Sequence, residues 1–186
     1  MSKSPDASPR RGHILSVAAR LLVHYGPRKT TVADIAREAG VGVGTVYLEF
    51  RNKDAIVAAL SRDRYTRVGA AMREAARGAS TPADAVRAAL DARTRALLAH
   101  ACDGQHAPEL LHRCCPAVEP VRQAYAEAER AFLAELLGGD AARAAAVQRA
   151  YATFMPPTLF EQPEDTVWPA LQQLHALVAE GLRPRG

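Results

Sequence analysis

The sequence predicts an all-α protein, and three observations carry that prediction. Ala, Leu and Arg are abundant while aromatic residues make up only 5% of the chain, a mix that favours helix over sheet. Apolar residues recur at steps of three and four from Ile14 onward, with no strand-like alternation. Helix punctuation also returns repeatedly, with capping residues ahead of each apolar stripe and Gly or Pro behind it.

The elements follow in order. Residues 1–8 read as a polar, disordered tail. Ser8-Pro9 combines an N-cap with proline at the first helical position. The helix it opens runs to about Tyr25, with Ile14, Val17, Ala18, Leu21 and Leu22 on one face and Gly26-Pro27 as its stop. Thr31 with Asp34 three residues on gives a capping-box-like start to a second helix, whose Ile35, Ala36 and Ala39 face inward and which Gly40 ends. A third spans Val43–Glu49. Asn52 caps a fourth, marked by Ile56, Leu60, Tyr65, Val68 and Met72 and ended by Gly78. Thr81-Pro82 with Asp84 opens a fifth, carrying Val86, Leu90, Leu97 and Leu98 up to Asp103-Gly104. A short helix is expected near Pro108–Arg113. Val118, Val121, Tyr125, Ala128, Phe132 and Leu136 form the next stripe, stopped at Gly138-Gly139. Ala141–Met155 and Val167–Leu182 complete the series, with a loop forced between them by Pro156-Pro157.

The 186 residues are 48% hydrophobic and 24% charged, enough for a globular fold with a real core. The net charge of +4 is unevenly placed. Residues 1–60 hold nine Lys/Arg and five acids, whereas residues 61–186 hold fifteen of each sign. The whole excess therefore falls on the first sixty residues, as a phosphate-binding module needs. The polar start of the chain has no signal-peptide pattern, and no stretch approaches the roughly 20 apolar residues of a membrane span. Three cysteines, an odd count, argue against a disulfide framework. A cytoplasmic protein without membrane contact is expected.

The second and third helices meet at Gly40-Val41-Gly42. Two short helices joined so closely on a basic segment are the signature of helix-turn-helix DNA binding. Residues 11–56 resemble the DNA-binding domain of the TetR family of transcriptional regulators. The matching residues are Ile14-Leu15, Ala18-Ala19, Gly26, Thr30-Thr31-Val32, Asp34-Ile35-Ala36, Ala39-Gly40-Val41, Gly44-Thr45-Val46-Tyr47, Phe50 and Lys53. The resemblance implies about nine helices and a homodimer on a palindromic double-stranded operator. It further implies an N-terminal three-helix DNA-binding domain and a C-terminal antiparallel helical domain for ligand binding and dimerisation. The expected boundaries are 9–52 and 53–186.

Within the motif, Val41, Val46 and Phe50 are spaced to anchor the third helix in the core. The candidate DNA contacts are Arg11, Thr31, Ala33, Val43, Gly44, Thr45, Tyr47 and Lys53. Tyr47 has a ring to pack and a hydroxyl to reach phosphate. Lys53 sits at a helix N-terminus, against the dipole, where ammonium and helix end together can grip a phosphate. Gly44 permits close backbone approach, and Thr45 offers a hydroxyl and a methyl to a base edge. Thr31 can cap its helix or touch DNA. Arg10 and Arg11 suit phosphates, a minor groove or a solvated tail. Two features depart from the family pattern. Glu49 stands where an aromatic residue or His is usual, and an acid there repels phosphate unless it accepts from a cytosine amino group. Val43 brings no hydrogen-bonding group, so direct readout looks sparse and shape readout gains weight.

In the C-terminal part, 141–155 and 167–182 are expected to build the dimer interface, with Val167, Leu171, Leu174 and Val178 as the seam. A small, largely apolar effector is expected among Met72, Leu90, Thr94, Leu97, Leu110, Tyr125, Tyr151 and Phe154. His100, Cys102, His106, His112, Cys114 and Cys115 lie within sixteen residues. They are soft and borderline ligands that open an alternative, a metal- or thiol-sensing repressor, although no C-x-x-C or H-x-x-x-H spacing is present. No catalytic motif and no cofactor fingerprint is found. A helical small-molecule-binding protein or enzyme with a vestigial helix-turn-helix is a further alternative.

Overall fold

The computed structural model describes residues 8–101, 106, 116–156 and 158–182. Among these, nine α-helices and two 3-10 turns are present and no strand. The chain divides into two compact units. One comprises residues 1–63 and 102–121, the other 64–101 and 122–186. The packing boundary thus falls at 63/64 rather than 52/53, because Ile56, Val57 and Leu60 belong to the N-terminal core. A later piece of chain returns to that core as well: Val118, in the 3-10 turn Pro116–Val118, is 1% exposed within it.

In the N-terminal unit, α1 (Pro9–Tyr25) starts where Ser8 Oγ accepts from Arg11 N and Pro9 needs no partner for an absent N–H. It buries Ile14, Val17, Ala18 and Leu22. It stops at Gly26, whose φ of +83° disfavours any side chain. A Cβ there would also sit 3.1 Å from the imidazole of His106, whose backbone N–H donates to Val23 O at 3.0 Å. The turn into α2 is closed by Thr30 Oγ donating to Gly26 O at 2.9 Å. Helix α2 (Val32–Glu38) carries the full capping box. Asp34 N donates to Thr31 Oγ, and Asp34 Oδ2 accepts from Thr31 N at 3.0 Å. At the joint to α3 (Val43–Glu49), Gly40 takes φ +65° and Val41 N donates to Ala36 O at 3.0 Å. Asn52 Oδ1 then accepts from Ala55 N at 2.9 Å to start α4 (Lys53–Ala76).

The C-terminal unit holds the rest of α4, then α5 (Pro82–Ala101) and most of α6 (Glu119–Leu136). It continues with α7 (Ala141–Ala150), the one-turn α8 (Thr158–Glu161) and α9 (Glu164–Leu182). Four expectations need correction. The run 141–155 is not one helix: α7 ends at Ala150 with Tyr151 as its C-cap, and 152–154 form a 3-10 turn. The stop has a local and a tertiary part: Tyr151 O accepts from Phe154 N (3.1 Å), closing the 3-10 turn, and from Arg93 Nη2 (3.2 Å). The Pro156–Pro157 region leads into a helical turn as well as a loop. On α6 the buried member of the stripe is Glu129, and Ala128 is exposed. Val167 and Leu171, read as a dimer seam, are fully buried within one chain, where α9 packs on α5. Their 4-3-4 spacing marks a buried stripe and cannot say which chain covers it. The expected tail 1–7 and the helix near 108–113 lie outside the described residues.

Candidate nucleic-acid interface and effector region

Helix α3 has two sides with different jobs. Val46 and Phe50 are 0% and 3% exposed, and Val41 packs partly buried against the same core, as the spacing predicts. The other side carries Val43, Gly44, Tyr47 and Leu48, all exposed, and Thr45 is half-buried at its margin. Residues i, i+1, i+4 and i+5 share one helical face, so these four form a continuous surface. Gly44 is informative. A Cβ built on it meets nothing within 4 Å, and its φ is not positive. Glycine in a helix costs about 1 kcal/mol against alanine, and nothing among the described residues requires it.

The C-terminal end of α3 is held by cations. Arg11 Nη1 donates to Glu49 O at 2.8 Å, capping the last turn, and its guanidinium lies 4.1 Å from the Phe50 ring centroid. Arg10 Nε donates to Glu49 Oε1 at 2.7 Å. The Glu49 side chain is only 12% exposed beneath that contact. The acid that looked repulsive to phosphate is therefore neutralised and used to brace α1 against α3. Lys53 is similarly occupied. Its Nζ donates to Pro27 O at 2.5 Å and to Thr30 O at 3.1 Å, pinning the α1–α2 turn. These contacts give a lysine against the dipole of α4 a structural role beside the phosphate contact expected from the sequence. Thr31 is committed to its capping box, and its hydroxyl also donates to Asp34 Oδ2 at 2.6 Å. The Thr31 hydroxyl is the first cause holding the Asp34 carboxyl below its ordinary value; the Thr31 amide and Arg37 add to it. Ala33 is exposed on the first turn of α2. Leu48, 81% exposed, was missed. Its signal was present: two residues from buried Val46, it points about 200° away from the core.

In the C-terminal unit, Met72, Leu90, Thr94, Leu97, Tyr125, Tyr151 and Phe154 are all buried; Leu110 lies outside the described residues. The apolar lining surrounds an unforeseen polar network. Arg93 Nη1 donates to Glu129 Oε1 at 2.9 Å, with the two side chains 0% and 2% exposed. Tyr125 Oη donates to the same oxygen at 3.2 Å, and Gln148 Nε2 donates to Glu129 Oε2 at 2.9 Å. Burial and the Glu129 charge push the Tyr125 hydroxyl well above its usual value of 10.0. The signal for this pair was also present. Arg93 stands three residues after Leu90 and Glu129 four after Tyr125, so both charges occupy stripe positions.

A second polar line runs inward from an open cleft of about 360 Å³ that includes Arg87, Asp91, Arg95, Trp168 and His175. His175 Nε2 lies 3.0 Å from Asp91 Oδ1, and its Nδ1 lies 2.7 Å from Tyr151 Oη. Burial pushes the Tyr151 hydroxyl up to about 12. Burial also lowers His175 below 6.5, against the pull of Asp91 and with help from Arg87 and Arg93. The folded chain then binds that proton less readily than the unfolded chain. Stability is complete above about pH 6.5 and falls as pH drops below it, by some part of the roughly 1.4 kcal/mol per pH unit that one proton supplies. Denaturant unfolding between pH 7.5 and 5 is expected to show this decline, and His175→Gln to flatten it. An equal slope in both proteins would exclude His175 as its source.

Of the Cys/His cluster, only His106 has a described side chain, and it lies against Gly26. His100, Cys102, His112, Cys114 and Cys115 fall outside the described side chains. No described helix is long and apolar enough to cross a membrane.

Two short helices, a glycine turn and a core-anchored second helix with an open outer face define a helix-turn-helix protein. Comparison with known proteins narrows the class. Residues 14–60 match the family model for bacterial regulatory proteins of the tetR family. The match places a tetR-type helix-turn-helix domain in residues 14–60, about a quarter of the chain. The HTH-type transcriptional repressor KstR2 of Mycobacterium tuberculosis is 40% identical over 57 residues, which are 31% of this chain and 28% of that protein. The chain matches about a third or less of the length of such curated relatives. Solved structures are similar along nearly the whole chain. A TetR/AcrR-family transcriptional regulator from Thermobifida fusca YX-ER1 covers 95% of this chain and 100% of its own, at 21% identity and TM-score 0.64. The regulator FadR from Bacillus subtilis, solved in complex with stearoyl-CoA, covers 92% and 96%, at 19% identity and TM-score 0.60.

Proposed function

We propose that this protein is a ligand-responsive DNA-binding transcriptional regulator, a repressor released from a palindromic operator by a small, largely apolar effector. The observation that carries this reading is the outer face of α3, where Gly44 has open space and, among the described residues, no internal reason to be glycine. Close approach of an external surface supplies the reason. The +4 excess on residues 1–60 gives that surface its sign, negative. Val43, Gly44, Thr45 and Tyr47 enter the major groove in this reading, with Thr31 and Ala33 at the neighbouring α2 start. Arg11 and Lys53 chiefly hold α3 and the α1–α2 turn in position. A homodimer sets two such helices about 34–36 Å apart on one face of the duplex. The effector binds among the apolar residues of the C-terminal unit, and α4, which runs through both units, carries the change. The named repressor and the stearoyl-CoA complex among similar proteins support the class of response, and binding rather than catalysis is the activity.

Gly44→Ala tests the reading. The full-length variant is expected to be as stable as the parent or more stable, because alanine is the better helix former. Its affinity for DNA from the protein's own upstream region, measured by fluorescence anisotropy, should fall at least tenfold. A variant that binds such DNA as the parent does would show that no surface approaches Gly44.

A further inference from the structure

We infer that α3 selects thymine by its 5-methyl group, with Leu48 and Val43 as the residues that sense it. The inference rests on the DNA-binding reading and adds the chemistry by which sequence is chosen.

The outer face of α3 is unusual for a surface helix. Leu48 is 81% exposed, Tyr47 52% and Val43 42%, and they adjoin one another. Single exposed apolar residues are ordinary. Here they share the one face of α3 that the core does not use. Leu48 gains little from burial there, and Val43 and Tyr47 each leave about half of their surface open. Exposed Arg10, Arg28, Lys29, Arg37 and Arg51 belong to the same N-terminal unit. An apolar strip in a cationic unit is complementary to the major groove, which is walled by phosphates. On that floor thymine alone offers an apolar group. Leu48 and Val43 neither donate nor accept hydrogen bonds, so the donor and acceptor patterns of the other bases are invisible to them. The methyl is the feature they can prefer. Glu49, which would otherwise favour a cytosine amino group, is held by Arg10. Gly44 on the same face brings these side chains closer to the base edges.

The test uses the full-length protein. Duplexes that bind it are selected from a randomised pool. Each thymine of the selected half-site is then replaced singly by deoxyuridine, which removes the methyl and nothing else. At least one replacement per half-site is expected to weaken binding about fourfold, the loss of one buried methyl. Leu48→Ala or Val43→Ala should abolish that sensitivity and leave the salt dependence unchanged. Both positions are exposed, so these variants keep their fold. Tight binding that is indifferent to every replacement would overturn the thymine assignment and leave DNA recognition standing. Full sensitivity retained in both variants would remove Leu48 and Val43 from the role. Failure to enrich any duplex would overturn the DNA-binding reading with it, and an apolar protein partner would then be the occupant of this face.

Discussion

Replacing Arg93 by methionine is expected to destabilise the protein by about 3–5 kcal/mol in denaturant unfolding. The loss comes less from the ion pair than from what remains. Glu129 would keep a carboxylate 2% exposed, with the neutral donors Tyr125 and Gln148 as its partners among the described residues, and Tyr151 O would lose its donor from Arg93. Removing both charges tests that account. Arg93→Met combined with Glu129→Leu should be more stable than Arg93→Met alone, because the stranded charge is gone. Singles that simply add would refute the mechanism, since residues in one network couple. The same pair constrains the proposed effector. A molecule entering among Met72, Leu90 and Tyr125 must leave Arg93 and Glu129 joined or replace one of them.

The second large effect is expected at Lys53. Lys53→Met removes a charged donor shared by Pro27 O and Thr30 O, and both carbonyls lose a partner. Charge-assisted hydrogen bonds contribute about 1.5–3 kcal/mol each when sheltered. Lys53 is half-buried, so about 2 kcal/mol in all is a reasonable expectation. A stability loss alone does not separate pinning from phosphate binding, and the salt dependence of DNA affinity does. If Lys53 only holds the turn, the slope of log K against log salt stays that of the parent. A lost phosphate contact would lower it by about 0.9. DNA affinity should drop in either case, through misplacement of α2 and α3 if pinning is the role. An unchanged slope with reduced stability is the expected pairing.

Much of the N-terminal unit was legible in the sequence because its signals are local. Ser8-Pro9, the Thr31/Asp34 box and Gly26 each state a helix end within four residues, and the structure places the ends there. Val46 and Phe50 were legible by spacing. The roles of Lys53, Arg10 and Arg11 were not, because their partners lie 23 to 39 residues away and are partly backbone carbonyls. A carbonyl leaves no trace in a residue pattern. Leu48 was not among the candidates, although its offset from buried Val46 places it on the same open face as Val43 and Tyr47. In the C-terminal unit, stripes were found and their contents misjudged. Spacing located Leu90, Leu97, Tyr125 and Phe132 correctly. It also held Arg93 and Glu129 in the same stripes, but charged residues are seldom fully buried. Only their encounter across α5 and α6, 36 positions apart, makes both tolerable. The 167–178 stripe shows the same limit, since periodicity reports burial and is silent on which neighbour provides it.

The return of His106 and of the turn Pro116–Val118 to the N-terminal unit bears on anyone moving this helix-turn-helix unit into another protein. A head cut from this protein at residue 63 would carry Ile14, Ile35 and Ile56 with a hole where Val118 belongs. It would also keep a glycine at position 26 shaped around an imidazole left behind in the other fragment. A transplantable head is therefore two stretches of chain, and a graft that honours only the first leaves both halves with mismatched joinery.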